Sequence, residues 1–321
     1  MDYGNVPGVD KPISRLVQGT VMVREDDLPY SFALLDAALA AGITAFDTAR
    51  HYGHGNEATV GRWLRERGLR DQVVIIGKGA HHSPERMRVT PADIAADLDE
   101  SLTQLGLDAI DLYLLHRDDP DVPVGPIVEA LNTHLRAGKI HAFGGSNWTH
   151  QRITEANAYA LEHGLVPFVA SSPQFSLAAQ IDPPWRGCIS IGGPDEAEAQ
   201  RWYRENQMAI FAWSSLAGGF LSGGFDRDHD GRLPEEVAQR ARRSYGSDAN
   251  FERLDRARVL AAELDVTVPQ IALAYALSQP LNLFTIAGGE SKEEIAANAA
   301  AVAVRLPPTT LAWLDLQRET Q

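Results

Sequence analysis

Residues 73–116 read VVIIGKGAHHSPERMRVTPADIAADLDESLTQLGLDAIDLYLLH. An apolar, β-branched run over 73–78 ends on Lys78 and predicts a strand. Thr90 followed by Pro91 is a helix start, with threonine as the cap and proline at the first helical position. The helix predicted from it spans 91–105, and a second strand follows at 111–116. Strand, helix and strand in this order make a βαβ unit of a parallel sheet.

The same rhythm extends both ways. Upstream, strands are predicted at 16–20 and 44–48, with helices at 30–41 and 57–67 stopped by Gly42 and Gly68. Downstream, helices at 125–137, 149–163, 194–206, 268–278 and 291–301 alternate with strands at 141–146, 168–172, 208–213 and 283–286. Eight strands, each followed by helix-compatible sequence and with no linker between them, predict an α/β fold: one (β/α)8 TIM barrel domain over residues 1–321. Residues 173–193 and 218–246 break the rhythm. Both are rich in glycine or proline and read as long loops at the C-terminal ends of strands, where barrels carry their sites.

Composition narrows the function. Hydrophobic residues make up 44% and charged residues 22% of the 321, enough to bury a large core. A formal net charge of −14 speaks against nucleic-acid and anionic-membrane partners. No stretch reaches the ~18 consecutive apolar residues of a membrane span. Cys188 is the single cysteine, and no basic segment followed by an apolar one opens the chain, so a reducing, cytoplasmic setting is expected.

Polar residues stand at successive strand ends: Asp47 and Tyr52 after the second, Lys78 on the third, His116 on the fourth. Singly, each has an ordinary structural explanation. Together they suit the reduction of a carbonyl, which needs a hydride donor and an acid for the developing alkoxide. A phenol with an ordinary pKa near 10 is a weak acid unless a cation stabilises its phenolate. Lys78 would be that cation, Asp47 its anchor, and His116 the group that orients the carbonyl oxygen.

These residues carry a family resemblance. GITAFDTARHYGHGNEATVGRWL (42–64), VVIIGKGA (73–80), IDLYLLHRDD (110–119) and FGGSNW (143–148) resemble the aldo-keto reductases in order and spacing, over about residues 16–298. The resemblance implies Tyr52 as general acid/base, Asp47 and Lys78 as its activators, and His116 as substrate-orienting. It also implies that Ser146, Asn147 and Gln174 bind the nicotinamide carboxamide and that Trp213 stacks on the ring. Ser214, Leu216 and Gly218 would wrap the pyrophosphate, and Gly288, Glu294 and Asn298 would lie at the far end of the nucleotide. NADP(H) is the cofactor it favours, with NAD(H) as the alternative. The segment AGGESKEEIAAN (287–298) departs from the pattern: Glu294 replaces a glutamine or arginine, Ala297 a glutamate, and Glu290 falls near the ribose. An extra ribose phosphate prefers arginine or lysine, and Lys292 is the only cation there. Arg227, Arg232 or Arg242 of the long loop would have to supply another.

The expected partner is a small carbonyl or alcohol. Arg50, His51, Arg117 and Asp118 near the mouth suggest a hydroxylated one such as a sugar or polyol, walled by Trp148, Trp185 and the 173–193 loop. Two other classes fit parts of the sequence. His51, His54, His81 and His82 would suit a metal-dependent hydrolase on the same barrel, although Lys78 would repel a cation. The segment from Trp213 to Gly218 is also similar to potassium-channel β subunits, which suggests a nucleotide-binding sensor with little turnover. No G-x-G-x-x-G fingerprint supports a Rossmann fold, since Gly144-Gly145 and Gly218-Gly219 do not match it.

Overall fold

Two strands that the sequence does not announce open the chain in the computed structural model, which describes residues 1–231 and 233–320. These strands, β1 (Tyr3–Val6) and β2 (Val9–Ser14), form an antiparallel hairpin. Gly8 sits at its turn with φ +87, and a Cβ there would meet the His141 carbonyl at 2.6 Å, so glycine is required on both counts. Val6, Val9 and Ile13 pack against Val17, Ala45, Val74 and Leu112, so the hairpin plugs one end of the barrel core.

The barrel strands are β3 (Leu16–Gly19), β4 (Ala45–Asp47), β5 (Val74–Gly79), β6 (Ile110–Leu115), β7 (Ile140–Ser146), β8 (Ala170–Ser172), β9 (Ala209–Ala212) and β10 (Leu283–Ala287). They run parallel in sequence order and close when β10 pairs with β3. This is the (β/α)8 barrel that the eight-fold rhythm predicts. Every residue of β6 is buried, yet the two faces differ. Leu112 and Leu114 join the inner core, while Ile110, Tyr113 and Leu115 join the shell beneath the helices. A strand covered on both sides reads as a nearly continuous apolar run, broken in β6 only by Asp111, which Lys11 and Arg70 neutralise, and this explains why these strands were legible.

The helices are α1 (Leu28–Ala40), α2 (Asn56–Arg67), α3 (Pro91–Leu105), α4 (Val124–Arg136), α5 (His150–Glu162), α6 (Ala197–Asn206), α7 (Glu235–Tyr245), α8 (Asp248–Glu263), α9 (Val268–Leu277), α10 (Lys292–Ala300) and α11 (Pro308–Leu314). The Thr90 hydroxyl accepts from the Asp93 amide as the cap of α3, and Gly106 ends that helix at φ 63. Thr267 and Gln270 form a reciprocal capping box at α9. The 218–246 segment is not loop throughout: α7 occupies its second half and α8 follows directly. The 173–193 segment has no helix or strand of its own, as expected. No single helix among the described residues is long and apolar enough to cross a membrane.

Candidate active site

Strand register brings the first polar set together at the C-terminal mouth. Asp47 ends β4, Lys78 lies on β5 beside it, and Tyr52 closes the short helical turn Arg50–Tyr52. The Lys78 ammonium pairs with Asp47 Oδ1 and donates to the Tyr52 hydroxyl at 2.9 Å and to the Thr48 carbonyl at 3.0 Å. Those three acceptors satisfy all three of its N–H donors. The Tyr52 hydroxyl in turn donates to Asp47 Oδ2 at 2.7 Å. Asp47 and Lys78 are 2% and 3% exposed, so the ion pair is dry and its geometry over-determined.

Burial, the Asp47 charge and the bond to Asp47 together push the Tyr52 phenol well above its ordinary range. Burial lowers Lys78, and Asp47 opposes that shift. The carboxylate that anchors Lys78 also accepts from the phenolic O–H, while Lys78 donates to the same phenolic oxygen. Tyr52 stays protonated at neutral pH, ready to donate.

His116 follows β6, anchored by its amide to the Gly79 carbonyl at 2.7 Å. Burial, helped by Lys78 and Arg117, keeps the imidazole neutral, and its Nδ1 has no hydrogen-bond partner. His81 meets it edge-on at 4.9 Å between ring centroids and stacks on His51 at 3.6 Å. Burial pulls His81 down to about 4, so this wall too is neutral. Among the described residues, no group of three His, Cys, Asp or Glu is placed to hold a metal ion.

Other residues expected at the mouth lie elsewhere. Trp148 is fully buried, with its indole against Phe168 and its N–H on the Arg117 carbonyl at 3.2 Å; it is core and not a substrate wall. Asn147 takes the left-handed conformation (φ 59), and that turn sends the next side chain inward. Arg50 turns toward α3 and pairs with Glu100 at 2.5 Å. Asp118, pushed up to about 6 by burial, pairs with Arg152 at 3.2 Å. Trp185 is 48% exposed, with its ring 6.2 Å from the Trp213 ring between centroids.

The second polar set lines the opposite arc. Ser146 Oγ donates to the Ser172 carbonyl at 2.9 Å, and Asn147 donates to the His116 carbonyl at 3.1 Å. Gln174 is buried between Ser176 and Ser190, bonded to both hydroxyls. Beyond β9, Ser214 and Ala217 are left-handed (φ 51 and 52), as is Gly218 (φ 61) in the turn that Leu216 leads. The Trp213 indole N–H is buried without an acceptor. Past β10, Asn298 donates to the Gly288 carbonyl at 2.9 Å, and Glu294 accepts from the Glu290 amide at 2.8 Å. An orphan donor and a run of strained backbone at strand ends fit a surface shaped to hold an extended polar ligand such as a nucleotide.

Two of the three loop cations expected for a ribose phosphate are engaged elsewhere. Arg227 pairs with Asp255 at 2.7 Å, and Arg242 pairs with Asp230. Arg232 lies outside the described residues. Lys292 lines an outer groove of about 640 Å³ with Phe32, Asp36 and Arg67 of the α1–α2 face. One buried acid escaped the sequence reading. Glu57 is 6% exposed, has an unpartnered oxygen and is pushed up to about 7 by burial. An acid in the first turn of a helix looks ordinary in sequence.

Relatives of known name share this architecture. An uncharacterized oxidoreductase of Bacillus subtilis, YrpG, is 28% identical over 329 aligned residues, covering 98% of this chain and 95% of its own. The aldo-keto reductase yakc [NADP(+)] of Schizosaccharomyces pombe is 29% identical, covering 87% of this chain and 79% of its own. A protein of the same yeast named as a voltage-gated potassium channel subunit beta is 30% identical, covering 90% of this chain and 84% of its own. Residues 15–316 match the Aldo/keto reductase family model, nearly the full length, and the chain belongs to that family of oxidoreductases.

Proposed function

We propose that this protein interconverts an aldehyde or ketone with its alcohol, with Tyr52 as general acid/base and a nicotinamide nucleotide as cofactor, NADP(H) ahead of NAD(H). The observation that carries the reading is the Tyr52 hydroxyl, which accepts from Lys78 while it donates to Asp47 at the barrel mouth. A nicotinamide nucleotide held there would supply the hydride for the carbonyl carbon. Ser146, Asn147 and Gln174 would hold its nicotinamide end beside Trp213. Ser214, Leu216 and Gly218 would hold the pyrophosphate, and Gly288, Glu294 and Asn298 would border the adenosine end.

The chain's own groups manage the proton. Tyr52 turns its O–H from Asp47 to the substrate oxygen, and Lys78, already bonded to that hydroxyl, stabilises the phenolate left behind. Neutral His116 offers a ring N–H to the same oxygen and fixes its orientation. The NADP(H) preference draws on the yakc name.

The similarity to a channel subunit supports a second reading, a nucleotide-binding sensor with little turnover. A panel of aldehydes, ketones and keto-sugars with NADPH and NADH, followed at the absorbance of the reduced nicotinamide, separates the two. Nucleotide binding without turnover on any member favours the sensor.

A further inference from the structure

Among the described residues, three cationic side chains are buried to 5% exposure or less: Lys78, Arg117 and Arg253. One of them, Lys78, is in ion-pair contact with an anion, Asp47, and Arg253 has one, Asp315, only within electrostatic reach. Arg117 has none among the described residues. Its guanidinium reaches the His116 carbonyl at 3.3 Å, its Nε is unpartnered, and the neighbouring acidic groups are the Cys188 thiol and the Tyr52 phenol. Burial pushes both of those up, so neither is a counter-ion at neutral pH. A guanidinium does not shed its proton to escape burial. A buried, uncompensated charge is costly and calls for a partner that the chain itself does not provide.

The location says what that partner is attached to. Arg117 follows His116 directly, and its field is felt by His51, His81, His82 and Tyr52, the groups that ring the mouth. Burial first, and the Arg117 charge after it, hold the three histidines below their ordinary range, and an imidazole carries no negative charge in either state. At the rim, Arg186 is exposed near His82, and Arg240 lies over the Trp185 ring at 5.0 Å. In a chain of net charge −14, this mouth is a local concentration of positive charge and unmatched donors.

We infer that the carbonyl substrate carries an anionic group, a carboxylate or a phosphate, and that Arg117 binds it while the carbonyl oxygen lies on Tyr52 and His116. The inference rests on the proposed carbonyl chemistry, and it adds an anionic group to the hydroxylated substrate, such as a sugar or polyol, that the sequence suggests. A guanidinium fork is suited to either oxyanion.

Two matched pairs test it on the nucleotide-loaded protein: para-carboxybenzaldehyde against benzaldehyde, and glyceraldehyde phosphate against glyceraldehyde. The charged member of at least one pair is expected to have the higher kcat/KM by about tenfold or more, chiefly through KM. The pair that shows it distinguishes carboxylate from phosphate. In Arg117→Met the ratio falls toward one. Arg117→Lys keeps the charge without the fork and retains a smaller preference than the parent. Calorimetric titration of para-(hydroxymethyl)benzoate against benzyl alcohol, and of inorganic phosphate, needs no turnover. If no aldehyde reacts but the anions bind through Arg117, the carbonyl reading fails and the anion site stands. Equal kcat/KM for both members of both pairs in the parent, or a preference that survives Arg117→Met, overturns the assignment. The parent comparison decides the matter even if the methionine variant does not fold.

Discussion

On the arc built by β4, β5 and β6, Lys78 has an acceptor for each of its three N–H groups and Tyr52 both donates and accepts. On the arc built by β7, β9 and β10, the Trp213 N–H has no acceptor, and Asn147, Ser214 and Ala217 hold left-handed backbone. Within the first arc the Asp47–Tyr52–Lys78 cluster is complete without a ligand, although His116 Nδ1 and Arg117 Nε beyond β6 are unpartnered. The second keeps strain and an open donor that packing alone does not explain, as surfaces that close on a ligand do. A self-satisfied cluster should respond to mutation through chemistry and titration, whereas the unsatisfied arc should respond through binding.

The largest effect should come from the first arc. Tyr52→Phe removes one hydroxyl and is expected to lower turnover by at least ~10²–10⁴-fold while nucleotide affinity changes little. Lys78→Met should cost a similar factor, and the double variant little more, because the two groups act as a unit. Steady-state kinetics with separate nucleotide titrations checks this. Near-normal turnover in Tyr52→Phe would sink the mechanism.

Glu57 tests the same arc through stability. Its carboxyl rises from 4.5 to about 7 in the folded protein because it is buried. Between those values the native state holds a proton that the unfolded chain has released. Stability from this group is therefore full below about pH 4.5, falls as pH climbs to about 7, and stays low above that. Glu57→Gln mimics the protonated form and removes the slope. Relative to the parent, the variant should gain on the order of 1–3 kcal/mol between about pH 4 and about pH 8. Denaturant melts at the two pH values measure it, and parallel curves for both proteins would mean that Glu57 reaches water.

On the second arc, Trp213→Ala should weaken nucleotide binding by ~0.5–1.5 kcal/mol beyond lost area, the worth of an aromatic contact. Trp213→Tyr keeps a stacking ring, so it should bind like the parent but show less quenching of tryptophan fluorescence. The comparison needs the variant because five other tryptophans contribute background, at 63, 148, 185, 202 and 313. If the alanine variant binds and turns over like the parent, the indole is only packing.

Legibility followed burial. The strand predicted at 111–116 appears at Ile110–Leu115, since a doubly covered strand is mostly apolar, here in every residue but Asp111. Asp47, Tyr52, Lys78 and His116 were placed at one mouth because strand ends in a barrel converge. The β1–β2 hairpin was invisible because Asp10, Lys11 and Pro12 interrupt any alternation. In α7 the buried stripe is Ala238, Ala241, Ser244 and Tyr245 among glutamates and arginines, too small and polar to register as a helical face. The direction of a side chain beyond a strand end was the least legible property. Trp148 and Arg50 follow turns whose backbone angles decide inward or outward, and residue type did not carry that information.

The smallest effect concerns the acidic end of the second arc. Ser291 caps α10 by accepting from the Glu294 amide at 3.1 Å, and the Glu294 carboxylate folds back to accept from the Glu290 amide at 2.8 Å. An anion already occupies this helix N-terminus, the kind of place where a phosphate would otherwise be welcome. Glu294→Gln keeps a carbonyl acceptor for the Glu290 amide and removes one negative charge. If the ribose phosphate of NADPH lies nearby, its affinity should rise by about 2–5-fold, the scale of an exposed charge near a helix end, and the gain should shrink with added salt. NADH should change less, since it lacks that phosphate. Alanine at Arg227 or Arg242 should leave the NADPH:NADH ratio where it was, because Asp255 and Asp230 already hold those cations. Isothermal titration of both nucleotides into each variant decides among these outcomes. An equal shift for both nucleotides in Glu294→Gln would place the phosphate away from α10, and a selective loss of NADPH in Arg242→Ala would show that the loop opens its own ion pair to reach it.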